Sequence, residues 1–224
     1  MGLTWLDWAA GIWFAALWLG YTRLIDLPIW RRPNLNRAMV AHREAWMREM
    51  VRRDNRITDA ALIGHIMNSV SFFASTTIIV VAALLSALHA IDDIRSAVME
   101  LDIAHPGTKA AWQFKLLLLI GLFVYAFFKF SWSIRQWNYC CVMIGATAPI
   151  GDPEADLGGR RAARIATSAA RAFNAGLRAL YFALAMLAWF VHPLAFMAAT
   201  LWVLAVLARR QFWSSSADVI VEKP

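Results

Sequence analysis

Residues 179–208 read ALYFALAMLAWFVHPLAFMAATLWVLAVLA, thirty positions without one Asp, Glu, Lys or Arg. As a single helix this run would extend about 45 Å at 1.5 Å per residue, half as long again as a hydrocarbon core of about 30 Å. His192-Pro193 interrupts it near the middle. A proline either ends a helix or kinks it in lipid. The stretch is therefore two spans that turn at the proline, or one long bent span. Two spans are preferred, because they return Arg209 and Arg210 to the side where the other arginines gather.

The rest of the chain is of the same kind. Of its 224 residues 60% are hydrophobic and only 17% charged, against about 45–50% and about 25% in a soluble domain. That excludes disorder, a coiled coil and an ordinary cytosolic enzyme, and leaves an all-α polytopic membrane protein. A net charge of +7 on a soluble chain would suggest nucleic acid. Here membrane topology accounts for it, and no nucleic-acid partner is expected. Cys140 and Cys141 are adjacent and point about 100° apart on a helix, a poor disulfide pair. Met1 to Trp8 lacks a basic n-region, so no signal peptide is expected.

Working outward, spans are expected at about 3–21, 59–90, 112–137, 167–191 and 194–208. The count falls to four if the last two are one kinked helix. Trp5, Trp8, Trp18 and Tyr21 flank the first as interfacial aromatics do. Between Arg23 and Arg56 stand nine arginines and four acids, whereas Asp92 to Lys109 carries four acids and two bases. A second basic connection holds Arg160, Arg161, Arg164, Arg171 and Arg178, and Pro149, Gly151, Pro153, Gly158 and Gly159 make its first half a loop. The positive-inside rule then places the two arginine-rich connections in the cytoplasm, with the N-terminus outside and the C-terminus inside. The expected location is a bacterial inner (plasma) membrane. Within the first basic connection Leu35, Met39, His42, Trp46 and Met50 recur at helical spacing, marking an amphipathic helix over about 34–53. It lies on the membrane surface or packs under the bundle, and docking on headgroups is the commoner use. The tail from Ser214 to Pro224 is too short for a domain.

Two stretches, Arg52-Arg53-Asp54-Asn55-Arg56-Ile57-Thr58-Asp59 and Val70-Ser71-Phe72-Phe73-Ala74-Ser75-Thr76-Thr77-Ile78, stand out beside Trp46-Met47 and the N-terminal Trp5-Leu6-Asp7. With them the chain resembles an uncharacterised integral-membrane family, domain of unknown function 599. The resemblance covers most of the chain and is most specific over residues 43–80. It implies a multi-span membrane protein and supplies no activity, substrate or catalytic residue.

Helical phase, at about 100° per residue, adds detail. In the second span His65, Asn68, Ser69, Ser75, Thr76 and Ser86 share a stripe opposite Val70, Phe73 and Ala74. In the third, Tyr125, Lys129, Ser133, Gln136 and Cys140 align; in the fourth, Asn174, Arg178, Tyr181, Ala185, Ala188 and His192. Such faces either pack helix against helix or surround a ligand or water path. Lys129 follows the uncharged run Leu116 to Phe128. It snorkels to water, pairs with Asp59, or points inward to His65, Asn68, Ser133 and Arg178. The last arrangement is all donors and cations, and suits an anion. Asp54, Arg56 and Asp59 are expected to form a salt-bridged cytoplasmic collar.

His89, His105 and His192 with Asp92-Asp93 offer metal ligands at one end, and two span-borne histidines suit haem. Neither has a motif spacing, so no metal or other cofactor is expected. No catalytic motif is present, and the chain is not expected to be an enzyme. The leading expectation is an oligomeric channel or transporter for a small anion or solute. Lys129 and His65 set its field, and Asn68, Ser75 and Thr76 line it. The alternative is a non-transporting accessory or scaffold subunit of a larger membrane complex, for which twelve tryptophans and nine methionines supply surface.

Overall fold

A computed structural model describes residues 2–25, 35–100, 107–213 and 219–220. Among them regular structure is helical throughout, with no strand. The helices are α1 (Trp5–Leu24), α2 (Leu35–Val51), α3 (Ile57–His89), α4 (Ile91–Met99), α5 (Lys109–Ala146), α6 (Ala155–Leu187) and α7 (Pro193–Phe212). Their ends follow local chemistry. Thr4 and Asp7 form a reciprocal capping box at the start of α1, satisfying backbone donors that the first turn leaves open. Thr108 accepts from the Ala111 N–H to start α5.

Near the middle of the thirty-residue apolar run the chain tightens into a 3-10 turn, Ala188–Phe190, and breaks. The Nδ1 of His192 accepts from the Leu194 N–H at 3.1 Å, and Pro193 takes the first position of α7, where its missing N–H is no loss. Arg210 of α7 returns to donate to the Tyr181 hydroxyl of α6 at 2.8 Å. The run is therefore an antiparallel pair of helices, not one bent helix.

Among the described residues, α3, α5, α6 with its 3-10 extension, and α7 are each long and apolar enough to cross a membrane. α1 runs beside them: Asp7 meets Trp189 at one end, and Tyr21 lines one cavity with Leu207, Arg210 and Gln211 at the other. The molecule is a multi-span all-α membrane protein.

Two features differ from the sequence reading. α6 begins at Ala155, twelve residues ahead of the expected span, and contains Gly158 and Gly159, which had read as loop. The glycines serve close approach instead. A Cβ on Gly159 would sit 2.7 Å from Val51 and 3.2 Å from the Met47 carbonyl oxygen, so this glycine lets α2 lie against α6. α5 and α6 reach about 57 and 50 Å at 1.5 Å per residue, well beyond a core of about 30 Å. Both project at the arginine-rich end. There α2 runs antiparallel to the first half of α6, as Asn36 opposite Asn174 and Met47 opposite Gly159 show. Met47, Met50 and Val51 are buried. For these three residues the expected docking on headgroups gives way to packing under the bundle, because α6 supplies an apolar partner. The tail, apart from Val219 and Ile220, lies outside the described residues.

Candidate functional site

Four helices meet around a cavity of about 260 Å³ near the arginine-rich end, between α1, α2, α6 and α7. Arg178 and Arg210 line it with Tyr21, Asn36, Asn174 and Tyr181. Arg178 is 9% exposed, and its Nε is buried with no hydrogen-bond partner. A buried guanidinium without a carboxylate is costly, and burial distinguishes Arg178 from the arginines on the outer faces of α2 and α6, several of which line other hollows. The surroundings are fixed by mutual bonds. Asn174 donates to Asn36 Oδ1 at 3.0 Å. Gln211, with its amide oxygen turned toward α2, accepts from the Asn36 and Leu35 N–H groups at 2.9 and 3.3 Å. Arg210 stacks over the Tyr181 ring and donates to its hydroxyl.

Of the polar faces expected to surround a path, only that of α6 borders this cavity, through Asn174, Arg178 and Tyr181. The polar stripe of α3 faces away from the bundle: His65, Asn68, Ser69, Ser75, Thr76 and Ser86 are exposed, while Ile63, Val70, Ala74, Thr77 and Val81 turn inward. The inward stripe is apolar because α5 presents Ala126 and Phe130 there. Ser133 is fully buried and donates to the Ala169 carbonyl of α6 at 2.8 Å, a helix–helix contact. Lys129 is half-buried over the Tyr125 ring, 5.3 Å from its centroid, and does not pair with Asp59. The three polar faces do not converge.

Of the three residues expected to form a salt-bridged collar, only Asp59 has an ion pair among the described residues. Asp59 Oδ1 accepts from Trp46 Nε1 at 2.7 Å and from Arg53 at 2.5 Å, which ties α2 to α3. Arg56 donates to the carbonyls of Ile144, Thr147 and Ala148, and so caps the C-terminus of α5 with a cation. Asp54 is exposed and takes no part. Nearby, burial and the neighbouring Arg171 charge push the Arg43 guanidinium below its ordinary value.

A second cluster, at the opposite end, was not foreseen. Asp7 and Lys115 are both buried, with Nζ 2.8 Å from Oδ1. Trp189 completes the group: its Nε1 donates to Asp7 Oδ1 at 2.9 Å, its carbonyl accepts from Lys115 at 3.2 Å, and its ring lies under the ammonium. The other carboxylate oxygen accepts from the Thr4 N–H and hydroxyl. Between this cluster and the Arg178 cavity lies a layer of rings. Phe14 packs on Phe182 and Phe196, and Phe196 stacks on Trp189 at 4.8 Å. The signal was present in the chain: two opposite charges, each about a turn inside the same end of its span.

Residues 9–216 match the family described as protein of unknown function, DUF599. The chain belongs to that family. No curated protein and no solved structure matches it.

What this DUF599 member's cavity can do follows from its lining. It offers guanidinium, amide and phenol groups, a set rich in donors. Its volume falls below the range of about 300–1,000 Å³ usual for drug-sized ligands. Among the described residues no group of three His, Cys, Asp or Glu side chains stands close enough to hold a metal ion. His105, one of the metal candidates, lies outside the described residues.

Proposed function

We propose that this protein is a carrier for a small anion, a phosphate, sulfate or short carboxylate, which binds between α1, α2, α6 and α7. The observation that carries the reading is Arg178, nine-tenths buried, in a cavity wall and without an acidic partner among the described residues. A bound anion would supply the missing countercharge through charge-assisted hydrogen bonds, the strong class in a site of low dielectric. Arg210, held by Tyr181, adds positive potential at the cavity's edge.

A carrier is favoured over an open pore by what lies deeper. The ring layer and the Asp7–Lys115–Trp189 cluster close the route toward the opposite end. In this reading the arginine-rich end is cytoplasmic, the membrane is the bacterial inner membrane, and the cavity faces inward. The positive-inside rule supports that orientation. The protein moves its ligand without making or breaking bonds, so it is not an enzyme.

Uptake of labelled phosphate, sulfate and succinate into proteoliposomes tests the proposal. Arg178→Gln is expected to slow uptake of the transported anion about ten- to a hundred-fold, as loss of a charged hydrogen-bond partner worth about 1.5–3 kcal/mol implies. Wild-type protein that moves none of these faster than protein-free vesicles overturns the carrier reading and favours an accessory subunit.

A further inference from the structure

The outward face of α3 carries chemistry that lipid cannot satisfy. Asn68 stands about 17 Å, eleven residues, into the helix from Ile57, within its apolar span. It is exposed and makes no hydrogen bond among the described residues, and the same holds for His65. Ser69 and Ser86 donate to carbonyls of their own helix, whereas Asn68, with both a donor and an acceptor to satisfy, joins His65, Ser75 and Thr76 in having no partner among the described residues. A carboxamide in hydrocarbon without one is strongly unfavourable.

The residues around Asn68 have the spacing of a helix–helix seam. Asn68, Phe72, Ser75, Ile79, Ala82 and Ser86 alternate at four and three residues, and all six are exposed. Phe72 and Ile79 are 66% and 67% exposed, and small residues alternate with them. This 3.5-residue period is that of left-handed packing at about 20°, in which large side chains enter gaps beside small ones. α3 is also an edge helix, packed on α5 with α1 and α7 on the far flank of the bundle.

We propose that this face is the contact between two copies of the chain, paired through α3 about a twofold axis normal to the membrane. The occupant is a second copy because the seam is its own complement. In a parallel pair Asn68 meets Asn68 of the partner subunit, and a carboxamide both donates and accepts. An asparagine facing itself in such a seam fixes register and stoichiometry, and a twofold contact uses one patch twice. Parallel pairing keeps both arginine-rich ends on one side of the membrane. The pairing is independent of the anion cavity, which opens on other helices.

The test is the mass of the intact protein released from nanodiscs, with oxidative cross-linking in membranes. Wild-type protein is expected to be a dimer, and Asn68→Leu to raise the dimer dissociation constant at least tenfold. That variant removes a polar group from an exposed position, so it keeps the fold. Ser75→Cys is expected to cross-link to its own copy above the background of Cys140 and Cys141, and Leu201→Cys on α7 is not. A monomeric wild type, a dimer indifferent to Asn68→Leu, or a Ser75→Cys chain that cross-links only to a different membrane protein would each overturn the proposal.

Discussion

A carboxylate and an ammonium group inside the apolar end of a bundle survive together because each is the other's solvent. Asp7 accepts from Lys115, Trp189 and Thr4, so its oxygens lack nothing that water would have given. Removing one partner leaves a buried charge, at a cost of about 3–5 kcal/mol, whereas removing both is close to neutral. Lys115→Met and Asp7→Leu should each lower the melting temperature markedly, and the double variant should recover most of the loss. Equal, additive losses would mean the pair is exposed to water. Ser133 belongs to a gentler class. Its bond to Ala169 is one helix contact, and Ser133→Ala should cost about 1 kcal/mol without altering anion uptake. A change in uptake would place Ser133 on the path after all.

At the scale of elements, what could be read from the chain was whatever depends on near neighbours. The two-helix reading of 179–208 rests on His192 and Pro193, which act locally, one as cap and one as first residue, and on the return of Arg209 and Arg210 to the arginine-rich end. The start of α6 was missed because Gly158 and Gly159 look like breakers until Thr147 packs against the first and α2 against the second. Gly176 teaches the same lesson within the bundle: a Cβ there would come within 2.6 Å of the Phe130 ring. Gly176→Leu is expected to force α5 and α6 apart and destabilise by about 1–3 kcal/mol, read as a fall in melting temperature; an unchanged melting temperature would show that the helices are not in contact there. Helical phase correctly grouped the polar residues of α3, but phase cannot say which side a bundle takes. The inward side went to Val70, Ala74 and Val81 because α5 is apolar where they meet. Lys115 could not be read from near neighbours, because its partner Asp7 lies in another helix more than a hundred residues away in the chain.

Taken whole, the molecule has a dry end and a wet end. Ion-paired and aromatic groups seal one, and an arginine-lined cavity opens at the other between α1, α2, α6 and α7. α1, α3, α5, α6 and α7 run through the bundle in alternating directions, with α5 and α6 joined by the loop at 147–154, and the start of α1 lies at the opposite end from the end of α7. A reporter fused at the C-terminus should therefore be protected from outside in intact cells while one at the N-terminus is reached; the reverse would invert the orientation on which the carrier reading rests. The most direct measurement is calorimetric titration of the nanodisc-embedded protein with phosphate, sulfate and succinate. Saturable binding of one anion to the wild type, at least tenfold weaker in Arg178→Gln and unchanged in Lys129→Met, is the predicted result. No saturable binding to the wild type, or equal affinity in Arg178→Gln, would contradict it.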